Sequence, residues 1–166
     1  MSSRSLQPGF RPVRRDELRA ERVHDTYQLK GKLPEPAVCS GCGAVYHTGR
    51  WQWIARPAEA KLVLCPACHR IKDRFPAGYL DIAGDYFAAH HVQLVSLLRH
   101  HEQRERAEHP LARIIGIEDT ATGAMVTTTD IHLARNLGEA LHDAYQGDLE
   151  FHYNDAENLL RVHWRR

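Results

Sequence analysis

At 166 residues, 43% of them hydrophobic, the chain has enough apolar side chains for one ordinary core, or for a small metal module beside a small αβ domain. Its formal net charge of +1 conceals an asymmetry: residues 1–75 hold 14 Lys/Arg against 7 Asp/Glu, and residues 76–166 hold 8 against 14. The opening residues contain no apolar run of signal-peptide type and no segment approaches membrane-spanning length, so a cytoplasmic protein without a membrane partner is expected.

Residues 1–38 are rich in charge and poor in large apolar side chains, with Arg4, Arg11, Arg14, Arg15, Arg19, Arg22, Lys30 and Lys32 interleaved with Pro8, Pro12, Pro34 and Pro36. This composition predicts a basic, largely flexible arm, with room for a short helix over residues 16–29 that Gly31 and Pro34 would end. Such an arm orders on RNA or on a partner surface, or else only keeps the chain soluble.

Every cysteine belongs to one of two Cys-x-x-Cys pairs, Cys39/Cys42 and Cys65/Cys68, with 22 residues between them. Two thiolates three positions apart bind one ion from a single tight turn, and Gly41, Gly43 and Pro66 suit such turns. Residues 39–75 are therefore expected to form a zinc ribbon with Cys39, Cys42, Cys65 and Cys68 as its ligands. Redox pairs and disulfides are the poorer alternatives. Between the pairs, Val45-Tyr46 and Trp51-Gln-Trp-Ile54 predict two short strands around His47-Thr-Gly49. Tyr46, Trp51 and Trp53 either surround the metal turns or offer a ring to an unpaired base. After the second pair, His69, Arg70, Lys72 and Arg74 crowd together. On a helix starting near Cys68 they would face phosphates; on a plain surface turn they would face only water.

Pro76-Ala-Gly78 separates the module from residues 76–110, where Tyr79, Ala83, Phe87, Leu94, Leu97 and Leu98 recur at helical spacing. The reading is one long helical segment from Tyr79 to Glu108, with room for a break at Gly84-Asp85 and an end before Pro110. Residues 111–166 predict a ββαββ domain. Its strands are Ile114–Ile117, Met125–Thr129, Leu149–Tyr153 and Leu160–Trp164, and its helix is Ile131–Tyr145, capped by Thr129 or Asp130 and stopped by Gly147. Leu133, Ala134, Leu137, Leu141 and Ala144 form the helix stripe expected to bury against the strands. His152, Arg161 and His163 share the opposite sheet face, which suits RNA contact and ordinary solvation equally. The fold class is thus α+β: a small four-cysteine zinc ribbon, a long helical segment and a compact ββαββ domain.

The knuckles Cys39-Ser-Gly-Cys42-Gly43 and Cys65-Pro-Ala-Cys68-His69, the junction Phe75-Pro-Ala-Gly-Tyr79, and the capped helix with its hairpin from Asp130 to Glu150 carry a likeness. In these features, and in their order over residues 37–166, the chain resembles small bacterial relatives of the NMD3 family of ribosome-export and quality-control factors. The resemblance implies zinc on the four cysteines, ribosomal RNA or a ribosomal subunit as partner, and a ribosomal protein as a further contact. The chain lacks the additional cysteines and long C-terminal domains of the eukaryotic members, so no nuclear-export role is implied.

A non-enzymatic, zinc-dependent RNA-binding protein is the leading expectation, with nucleic-acid contacts from Arg11, Arg14, Arg15, Lys30, Lys32, Arg50, Trp51, His69, Arg70, Lys72, Arg74, His132 and Arg135. A protein–protein adaptor using the αβ domain is the alternative. A metal-dependent nuclease built on His47 and His69 is a third reading, disfavoured because no compact second set of metal ligands accompanies them.

Overall fold

The computed structural model describes residues 8–14, 27 and 31–166. The helix expected over residues 16–29 and the contacts expected of Arg15 and Lys30 lie outside the described residues. In chain order the elements are β1 (Arg11–Pro12), β2 (Ala37–Cys39), β3 (Val45–His47), β4 (Arg50–Gln52), β5 (Lys61–Val63), α1 (Pro66–Asp73), β6 (Gly78–Ala83), α2 (Asp85–Ala89), α3 (His91–Glu108), β7 (Ile114–Thr120), β8 (Gly123–Thr128), α4 (Ile131–Tyr145), β9 (Asp148–Asn154) and β10 (Leu159–Arg165). They build two sheets. Four short strands in the order β4-β3-β2-β5 carry the cysteines, and six strands in the order β1-β9-β10-β6-β8-β7 form the rest.

Period-two patterning sets the larger sheet. On β10, Leu160, Val162 and Trp164 are buried while Arg161 and His163 between them are only half-buried, and β9 turns Phe151 to the same inner face. Helix α4 covers that face with Leu133, Ala134, Leu137 and Leu141, as expected, whereas Ala144 is exposed. Asp130 supplies the cap, its carboxylate accepting the His132 N–H at 3.0 Å. Close approach of α4 depends on two glycines: a Cβ on Gly78 would stand 2.5 Å from the Ala134 Cβ, and one on Gly138 2.6 Å from Val162 Cγ1. Helix α3 lies against α4 and sends Leu94 and Leu98 into the same core.

One expectation fails at Gly78–Ala83, of which the part from Tyr79 on is expected to start a long helix. They form β6, a central strand parallel to β10 and antiparallel to β8. Tyr79 and Ala83 satisfy helical spacing, but Leu80 and Ile82 are the fully buried pair, so period two governs the segment. The backbone leaves the sheet at Gly84, with φ of 105°, and the helical remainder divides at His90 into α2 and α3. The arm is corrected as well where it is described. Arg11 and Pro12 pair antiparallel with β9, the Val13 N–H donates to the Phe151 carbonyl at 2.9 Å, and Ala37–Cys39 is a buried strand.

Candidate metal centre

Cys39 ends β2, and the chain then turns back into β3 through a knuckle in which the Gly43 N–H donates to the Cys39 carbonyl at 3.0 Å. Gly43 takes φ of 80°, a conformation that favours glycine. Gly41 is needed for a different reason, because a Cβ there would lie 2.9 Å from the Cys68 sulfur. The second pair is held by a helix rather than by another hairpin. Cys65 is the N-cap of α1, its Sγ accepts the Cys68 N–H at 3.3 Å, and Pro66 occupies the first turn, where a missing N–H costs nothing. The helix therefore starts two residues before the position read from the sequence.

These elements bring the four sulfurs within 4.8 Å of one another, with Cys42 and Cys65 Sγ at 3.9 Å. A tetrahedral ion with bonds of about 2.3 Å separates its sulfurs by about 3.8 Å, and a disulfide by about 2.05 Å, so the cluster fits a metal and not a pair of disulfides. Backbone amides already point at the ligands, Gly41 N–H and Cys65 N–H reaching Cys39 Sγ at 3.4 and 3.2 Å. Burial opposes ionisation of Cys39, yet these amides and that of Cys42 outweigh it and bring the thiol down to about 6. Burial pushes the Cys65 and Cys68 thiols up, and at Cys65 the neighbouring sulfurs add to the rise. Four thiols so close ionise together only with a cation among them, which a divalent metal supplies.

One cation already reaches the cluster from outside the module. Arg113 at the start of β7 is buried, and its Nη2 donates to Cys65 Sγ at 3.3 Å and Cys68 Sγ at 3.4 Å. Burial works against its charge, but the hydrogen bond to Cys68 and the surrounding thiolates more than offset that and hold it protonated. Sequence reading missed Arg113. Its only signal is a charged residue set between Leu111-Ala112 and Ile114-Ile115, where an apolar strand begins.

The residues expected to touch nucleic acid are spread over several elements. Lys32, Arg50, Lys72 and Arg74 are exposed on the metal module, Arg74 as the left-handed C-cap of α1 with φ of 50°. Arg70 is a correction: it is 4% exposed, donates to the Phe75 carbonyl at 2.9 Å and stands over the Tyr27 ring, so it closes the end of α1 instead of facing phosphate. His69 is half-buried with its ring 5.7 Å from Tyr27. Trp51 is half-buried as well, packed on Tyr46 and on the cysteine cluster, so it serves the module's own interior. Arg11 is exposed on the edge strand β1, where its Nε pairs with Asp155 at 2.8 Å, and Arg14 is exposed just beyond it. His132 and Arg135 sit half-buried on α4, Arg135 donating to the Asn136 side chain.

Among the described residues, no other group of three or more His, Cys, Asp or Glu side chains converges as the cysteines do, and His47 stands exposed at the hairpin turn. No helix among them is long and apolar enough to cross a membrane. Comparison of the chain with protein-family models, with curated proteins and with solved structures finds no match in any of the three.

Proposed function

We propose that the chain is a zinc-dependent RNA-binding protein that docks on a ribosomal subunit through its metal module. The observation that carries the reading is the charge of the module's surface, where Lys32, Arg50, Arg56, Lys61, Lys72 and Arg74 are exposed against Glu35, Glu59 and Asp73. A surface of that sign attracts a phosphate backbone and releases its counterions. Zinc suits the donor set, since four thiolates close its tetrahedron and leave no position for substrate, which is the pattern of a structural and not a catalytic ion. The ion's task in this reading is to hold β2, the knuckle and α1, and with them the basic side chains they carry, in a fixed relation.

Binding to purified ribosomal subunits and to their RNA, measured over a series of salt concentrations, tests the reading. Each phosphate-facing cation removed lowers the log–log salt slope by roughly 0.7 to 0.9. Lys72→Ala with Arg74→Ala is thus expected to weaken binding on every RNA sequence about equally and to flatten the slope by roughly 1.4 to 1.8. Alanine keeps the Cβ at the left-handed position 74, so the helix end is not changed by the test. An unaltered slope moves the contact elsewhere, and absence of salt-sensitive binding by the wild type overturns the proposal.

A further inference from the structure

The metal cluster has a partner from the other half of the chain. Arg113 is 6% exposed and permanently charged, a combination that is strongly destabilising unless an anion lies beside it. Two sulfurs of the cysteine cluster lie within hydrogen-bonding distance of its guanidinium, and as thiolates they supply that anion. The rest of the residue is fixed by the large sheet. Its N–H donates to Thr129 Oγ1 at 2.9 Å, its carbonyl accepts the Thr129 N–H at 2.9 Å, and its Nε donates to the Pro110 carbonyl at 3.2 Å. The guanidinium is therefore aimed at the sulfurs by β7 and the end of β8, not by the module.

A divalent ion on four thiolates leaves the centre with two negative charges in a half-buried setting, and Arg113 cancels one of them while supplying N–H donors to two ligands. We propose that Arg113 is the counter-cation of the metal–thiolate centre, so that metal occupancy fixes the module onto the six-stranded sheet. The inference rests on metal binding but not on RNA. Two other contacts at this joint carry no charge: Trp53 Nε1 donates to the Arg106 carbonyl at 2.7 Å, away from the thiolates, and Leu111 packs its apolar side chain against the cysteine cluster. What depends on the metal is the alignment of Arg113.

The test uses the full chain with Co²⁺ as probe, read by its thiolate charge-transfer absorption. Arg113→Met is expected to weaken Co²⁺ binding by about 10- to 100-fold and to shift the absorption, with Arg113→Lys restoring part of both. In the wild type, chelating the metal is expected to speed hydrogen exchange at the Arg113 and Thr129 amides while the Val162 amide keeps its protection. Unchanged affinity in Arg113→Met overturns the proposal. If that variant does not fold, the wild-type exchange decides, and protection of the two amides that survives chelation overturns it. A wild type that shows no thiolate absorption with Co²⁺ removes the metal reading and this proposal together, whereas loss of RNA binding alone leaves this proposal standing.

Discussion

Gly138 sits in the middle of α4, where helix propensity alone says that alanine is better by about 1 kcal/mol. The structure reverses the sign. An added Cβ would lie 2.6 Å from Val162 Cγ1 and 3.1 Å from Leu149 Cδ1, while a carbon–carbon contact is comfortable at about 3.5 to 4.0 Å. Val162 has little freedom to retreat, being β-branched, fully buried and paired to β9 on one side and β6 on the other. Relief thus requires α4 to lift from the sheet by about 1 Å, which disturbs Leu137 and Leu141 together, and overpacking of this kind costs about 1 to 3 kcal/mol. With the near contact so short, the upper end applies, and the net expectation for Gly138→Ala is a loss of about 2 kcal/mol, or about 4 to 8 °C in Tm for a chain of this size. Urea denaturation of the metal-saturated protein, followed by tryptophan fluorescence, gives the number. In a Val162→Ala background the same substitution should cost less by about 1 kcal/mol or more, since the offending methyl is gone. A Gly138→Ala protein as stable as the wild type, or more so, refutes the argument that this glycine is required by helix–sheet contact.

Cys39→Ser removes the ligand that accepts two backbone amides, and is expected to release the metal and melt the module while the six-stranded sheet keeps a cooperative urea transition. Elemental analysis should find one zinc per chain in the wild type and none in the variant; iron–sulfur absorbance or no metal at all defeats the assignment. Leu137 is 0% exposed, so Leu137→Ala should cost about 2 to 5 kcal/mol in the same urea assay, and a cost below about 1 kcal/mol means that the apolar stripe of α4 is not core.

What the sequence disclosed follows the range of the forces involved. Helix α4 is written within its own stretch of chain: a cap at Asp130, leucines at 133, 137 and 141, and a stop at Gly147 with φ of 93°. The cysteine pairs were legible for the same reason, since the spacing inside each pair is local and all that remains is for the pairs to meet. Strand β6 was lost where two periods overlap, Tyr79 and Ala83 fitting one and Leu80 and Ile82 the other; only the neighbours β10 and β8, which lie far along the chain, decide between them. Arg70 shows the same limit on the electrostatic side. In sequence it is one more cation in a basic run, and its burial follows from Tyr27 and Phe75 closing around α1, a contact no local pattern encodes. Arg113 is the extreme case, 45 residues from Cys68 and brought to it by its pairing with Thr129, which follows β8. A buried charge is costly at its own position and tolerable only because of a partner elsewhere, so its reason is always non-local. That is why the ligands of the centre could be read from the chain and the cation that balances them could not.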